Sequence, residues 1–225
     1  MHFHLPKPLH GWREFFGEVG VIVIGVLIAL GAEQLVEAWR WNREVSEFRE
    51  ALDSELSYDL GAMQYRLMQG PCVRQRLGEL EQWLDESRNS SGGTLSGAIS
   101  LPTRLALRTS AWEARTGDIS NHIPLNARLA YGQLYSNLAN FNDHSLEERS
   151  IWRDLGDFDG LSQLTHDEQV RLGGLIRRER VLDFTFGLNW PLIEPLARRL
   201  SLHAVRDPAD PAPFPEFCRP IHRSS

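Results

Sequence analysis

The sequence predicts an all-α protein: a single N-terminal transmembrane helix continuing into a helical bundle of about five or six helices. Three observations predict it. An unbroken apolar run, GVIVIGVLIALGA, lies between Glu18 and Glu33. Beyond it, apolar residues recur at helical spacing, and no stretch alternates convincingly enough to be a strand. Two segments, Ser145-Leu-Glu-Glu148 and Thr165-His-Asp-Glu168, match the capping box that opens helices.

The apolar run comes first. Between Glu18 and Glu33 lie 14 uncharged residues, a length that a buried core helix could also carry. The flanks favour a membrane. Trp12, Phe15 and Phe16 precede the run, and Trp39 and Trp41 follow it. Trp12 and Trp39 stand 27 residues apart, roughly 40 Å of helix at 1.5 Å per residue. A bilayer measured between its headgroup regions has that thickness, and Trp concentrates there. The expected organisation is a flank at 1–14, a span at 15–38, a helical domain at 39–205 and a Pro-rich tail at 206–225. A signal peptide cut after Gly31 is the competing reading, since Ala29 and Gly31 satisfy the small-residue rule. Against it, Glu14 and Glu18 offset Lys7 and Arg13, and helical character runs straight through the cut.

Glu18, Gly25, Ala29 and Glu33 fall on one face of this helix. Small residues on one face let helices approach closely in lipid, and polar residues there turn toward protein. A helix-association face is one reading. Two carboxylates hydrated near the interface, with no role, is the other.

From Val45 the apolar residues Phe48, Leu52, Leu56, Leu60, Met63 and Leu67 cover 22 residues in six steps. That is about 3.67 per step, an ordinary helix rather than a left-handed coiled coil. Gly70-Pro71 is expected to end it. A second helix over 72–87 then buries Val73, Leu77, Leu80 and Leu84. Residues 88–100 are Ser/Gly-rich and read as a surface loop. A third helix is expected over 102–116 with Gly117 as its C-cap, and a fourth over 124–141. The two capping boxes open helices at 146–156 and 166–189, with Pro191 and Pro195 kinking the last or starting another. The tail, RDPADPAPFPEFCRP, is expected to be extended.

The chain carries a formal net charge of -6, which argues against a nucleic-acid partner because phosphate binding wants a basic face. Lys7 is the only lysine, and no phosphate-cradling glycine loop is present. In DLGDFDG, Asp154–Gly160, Leu155 and His166 fall where a calcium loop needs its first and last ligands, so a helix-connecting turn is expected. His2, His4 and His10 cluster with nothing to fix their geometry. No G-x-S-x-G or H-E-x-x-H signature occurs. No catalytic, metal or cofactor-binding residue is assigned.

The segment Gly11–Trp41, GWREFFGEVGVIVIGVLIALGAEQLVEAWRW, resembles the N-terminal anchor of a group of uncharacterised bacterial membrane proteins. PCVRQRLGELEQWL and the region around Trp112 are similar to that group as well. The resemblance implies an inner-membrane anchor followed by a helical domain, and it implies no activity.

Cys72 and Cys218 lack zinc-ligand spacing and are too few for a disulfide scaffold. A bridge between them would tie down the tail, contributing about 3–5 kcal/mol in the chain-entropy model. Two unrelated thiols are the plain alternative. Lys7 and Arg13 nearly balance Arg40 and Arg43 across the span, so the positive-inside rule decides orientation weakly. The free N-terminal amine and the bridge together favour a periplasmic domain. The expected function is a non-enzymatic binding or assembly module. Its partners would be the lipid bilayer and, through the anchor, a second copy or a membrane protein. An enzyme with a site around His122 and His144 is the alternative.

Overall fold

The computed structural model describes residues 11–89, 94–102, 107–206 and 217–221, with the side chains of 13 and 14 left aside. Within them the protein is all-α, with five helices and no strand: α1 (Gly11–Arg88), α2 (Ser110–Glu113), α3 (Gly117–His122), α4 (Leu125–Gly156) and α5 (His166–Arg199). The chain divides into two compact units, Met1–Phe48 and Arg49–Ser225. The first carries the apolar run of α1, described with the candidate site below.

In the second unit, the C-terminal part of α1 packs with α4 and α5. Asp53 meets Tyr131 and Arg66 meets Glu148, so α1 and α4 run parallel. Arg74 meets Asp183, and Arg180 meets Glu81, so α5 runs antiparallel to α1. It is antiparallel to α4 too, through Arg178–Glu147 and Arg171–Asp157. Two consecutive long helices that lie parallel need a return connection. The described parts of the segment between them supply it, passing Ile221 at Ser96, Asp159 at Ile99, Asp59 at Arg108 and Glu55 at Ala111.

Several helix boundaries differ from the sequence expectation. Helix α1 passes through Pro71 instead of ending there. Leu52, Leu56, Leu60, Met63, Val73, Leu77, Leu80 and Leu84 are all buried, at spacings that stay in phase across the proline. Pro71 itself is exposed, so its ring faces water. Continuous packing on α4 and α5 outweighs the roughly 3 kcal/mol that an interior proline costs. Pro191 and Pro195 are exposed on α5 in the same way, and that helix also continues.

The capping box at Ser145 is not a cap. α4 runs unbroken from Leu125 to Gly156, the Ser145 hydroxyl donates to the Phe141 carbonyl at 3.0 Å, and Glu148 turns inward to Arg66. The Thr165 box does form: Thr165 Oγ1 accepts from the Glu168 amide, and the Glu168 carboxylate accepts from the Thr165 amide at 2.7 Å. The third helix expected over 102–116 shrinks to α2, and residues 103–106 lie outside the described ones. Its amides are taken instead by Asp59 and Glu55 of α1. Gly117 opens α3, with Thr116 as the N-cap. Asp157–Gly160 is a helix-connecting turn, with Gly160 at φ +75°. Most of the tail falls outside the described residues, and Phe217–Cys218 form a turn.

After α5 the chain crosses α1 at Gly61. The Val205 amide donates to the Ser57 carbonyl at 2.8 Å, and a Cβ on Gly61 would lie 2.0 Å from the Val205 oxygen. Only glycine permits that approach.

The two Ser/Thr boxes make a paired test by chemical denaturation. Thr165→Ala should cost about 1 kcal/mol, the worth of an N-cap. Ser145→Ala should change stability by less than about 0.5 kcal/mol, as for a substitution that removes no cap. Equal losses would contradict the continuous α4.

Candidate functional site

The first unit presents an apolar surface. An 18-residue window of α1 reaches a mean hydropathy of 2.3, and none of that window is buried. Val21, Ile24, Leu27, Ile28, Leu35 and Val36 are among its exposed large side chains. Trp12 is exposed and lies 5.9 Å from Phe16, which in turn meets Phe15 edge-on. At the other end Trp39 is exposed, and the half-buried Trp41 lies beneath the Arg40 guanidinium and donates to Glu37. Glu18, Gly25, Ala29 and Glu33 all sit exposed on α1. A Cβ on Gly25 would meet nothing within 4 Å.

Cys72 and Cys218 are joined by a disulfide, with Cα atoms 4.9 Å apart across a sequence separation of 146. The bond is one part of a larger clasp. Arg76, almost fully buried, donates to the carbonyls of Phe217 and Arg219 at 2.8 Å each. Glu79 accepts from the Ile221 amide at 3.0 Å, and Ser96 donates to the Ile221 carbonyl. Phe217 packs edge-on against Trp152. Arg76 and Glu79 were not singled out from sequence. The available signal was their place among the apolar positions of the 72–87 segment.

Two clusters of buried charge lie in the bundle. At the first, Arg66 of α1 is 2% exposed. Its guanidinium grips the Glu148 carboxylate in a two-point contact, with Nε donating at 2.9 Å, and lies 4.6 Å from the Phe186 ring centre. Asp183 of α5 stands 3.7 Å from Arg66 and accepts from Arg74 at 2.8 Å. Glu179, one turn before Asp183, is fully buried.

At the second, Glu55 accepts from Tyr135 at 2.6 Å, from the Ser110 hydroxyl and Ala111 amide at 2.9 Å, and from the Trp112 amide at 3.4 Å. Burial works against its ionised form, but these donors outweigh burial and hold its carboxyl below the usual range. Asp59 has only the Arg108 amide on one oxygen, and its Oδ2 is buried without a partner. Burial pushes its carboxyl up to about 7, helped by the nearby Glu55 charge and opposed by the Arg108 amide. Tyr131, donating to Asp53 at 2.5 Å, is pushed up to about 12, chiefly by burial. These groups cap a short helix and fix a crossing segment.

His122 and His144 are not brought together. His122 lies exposed before α4, its Nδ1 2.8 Å from the Asp118 carbonyl. His144 is half-buried against Phe186, 19 residues beyond the start of α4, roughly 30 Å along that helix. Asn121 pairs with Arg128 instead. His2, His4 and His10 lie outside the described residues, and no group of three metal-ligating side chains occurs among those described. A cleft of about 600 Å³ opens between α1 and α5, lined by Arg74, Leu77, Asp183, Phe184 and Leu188. Along α5, Val181, Phe184, Leu188 and Leu192 form an exposed apolar stripe, with Phe184 68% exposed. Comparison with protein-family models, curated proteins and solved structures finds no match.

Two measurements probe the clusters. Glu148→Ala should cost about 3–5 kcal/mol, because it strands a buried guanidinium. Arg66→Met combined with Glu148→Leu should cost much less than either single truncation. For Asp59, the folded carboxyl holds its proton above the unfolded value. Its contribution is therefore fully present below about pH 4 and is lost as pH rises through about 7. Asp59→Asn, which keeps an acceptor for the Arg108 amide, should gain stability over the parent between pH 4 and 7 and hold a constant advantage above. A constant difference at every pH would show that folding leaves the Asp59 carboxyl unshifted.

Proposed function

We propose that the chain is a single-pass, membrane-anchored helical module that binds or assembles rather than catalyses, with its second unit outside the cytoplasm. The observation that carries the anchor is the apolar window of α1, none of it buried within the chain. A soluble core helix of that hydropathy would bury one face. A cleaved signal sequence is disfavoured because α1 continues through Gly31 as far as Arg88. The aromatic residues Trp12, Phe15, Phe16, Trp39 and Trp41 stand at the ends of this segment, where a bilayer interface would hold them.

Assembly is proposed through the face of Glu18, Gly25, Ala29 and Glu33, which nothing among the described residues covers. A second copy or another membrane helix would fit it, since small residues permit close backbone approach. The exposed apolar stripe of α5 favours a binding module over an enzyme. The disulfide supports an oxidising compartment such as the periplasm, because cytosolic thiols are kept reduced.

Alkaline carbonate washing of membranes tests the anchor, and release of the chain into the supernatant would end this reading. Gly25→Ile with Ala29→Ile should weaken association in a membrane two-hybrid assay. An unchanged signal, with Leu27→Ala weakening it instead, would move the interface to another face. Thiol-reactive polyethylene glycol applied to intact cells should label neither cysteine until a reductant is added. Labelling of both without reductant would refute the bridge in the cell.

A further inference from the structure

The meeting point of α1, α4 and α5 holds more negative than positive charge. Three carboxyls converge there: Glu148 from α4, and Glu179 and Asp183 from α5. Two guanidiniums answer them, Arg66 and Arg74 of α1. Both are committed. Arg66 gives two of its nitrogens to Glu148, and Arg74, itself more than half exposed, bonds Asp183.

Glu179 is left over. It is 0% exposed, and neither of its carboxyl oxygens has a hydrogen-bond partner. The groups that face it are Glu148 and the Trp152 indole from α4 and Arg66 from α1. Asp183 lies one turn along its own helix. His144, one turn before Glu148 on α4, has its Nδ1 buried without a partner. An ionised Glu179 would be a buried charge beside a second carboxylate, and the Trp152 indole and an Arg66 already bonded to Glu148 offset that cost less than keeping the group neutral does.

We propose that the folded bundle keeps one proton on the Glu148–Glu179 pair, carried by Glu179, and that loss of this proton loosens α5 from α1 and α4. Burial, reinforced by the neighbouring Glu148 charge, pushes the Glu179 carboxyl up to about 10. Folded protein thus holds a proton that an unfolded glutamate, with its ordinary value of about 4.3, gives up above that pH. The resulting stability is fully present below about pH 4 and is lost steadily as pH rises toward 10. Neutral solutions fall inside that window, so the stability of the bundle against unfolding falls with pH across the range in which cells live, while the folded form keeps its proton.

Three measurements on the detergent-solubilised full chain test this, the first and last at pH 8.5, where Asp59 is ionised both folded and unfolded. Calorimetry in buffers of different ionisation enthalpy should count about one proton released on unfolding of the parent and none for Glu179→Gln. Across pH 6–9 the parent's unfolding constant should rise about tenfold per pH unit relative to that variant. Infrared spectra of the folded protein provide a readout that needs no unfolding. They should contain a neutral carboxylic acid band at pH 8.5 that disappears in Glu179→Gln. Absence of that band in the parent would overturn the proposal. So would a band that survives Glu179→Gln and vanishes in Glu148→Gln, because the proton would then reside on the other carboxyl.

Discussion

The bundle turns on the contact between Arg66 and Glu148. It is a buried ion pair between the parallel helices α1 and α4, and Asp183 brings α5 to the same guanidinium. A buried ion pair adds little net stability, because desolvation cancels most of the Coulomb gain. Its effect is on register. Sliding α1 against α4 by one turn would leave a guanidinium and a carboxylate unpaired in the core, while the apolar contacts around them would survive with other leucines. Phe186 beneath the guanidinium and Phe141 against Phe186 tie that register to the apolar packing.

The same logic of inward-pointing charge organises the parts of the chain that lack long helices. Glu55 and Asp59 collect the amides of the return segment, and Arg76 and Glu79 collect the backbone of the C-terminal segment. All four belong to α1. That helix thus supplies polar side chains at core positions, where they replace the hydrogen bonds that irregular backbone would otherwise draw from water. The disulfide from Cys72 adds a covalent constraint beside contacts that already seat Phe217 and Ile221. The clasp therefore combines unfolded-state entropy with folded-state hydrogen bonds.

Seen this way, the departures from the expected helix boundaries share one cause. Pro71, Pro191 and Pro195 each weaken a helix locally, yet each faces outward while apolar residues on both sides remain buried in phase. Ser145 and Thr165 carry the same local signature. They diverge because Glu148 finds Arg66 across the core, while Glu168 finds only its own helix end. A pattern of four residues cannot register a partner 82 positions away.

By itself the sequence determined that the chain is helical, which stripes of α1, α4 and α5 are apolar, where α5 begins, and that the segment between Glu18 and Glu33 carries an apolar surface. Spacing and composition over a few turns decide those features, so they are legible without any partner. Only the tertiary structure decided that α1 and α4 run on through Pro71 and Ser145, that α2 is a single turn, and that His122 and His144 stand apart. It alone also placed Glu179 with two other carboxyls and two guanidiniums. The reason is physical: the local preference of a proline, a serine or a buried acid is worth a few kcal/mol at most sites. Which way such a preference resolves depends on the packing and charge that distant segments bring to the same place.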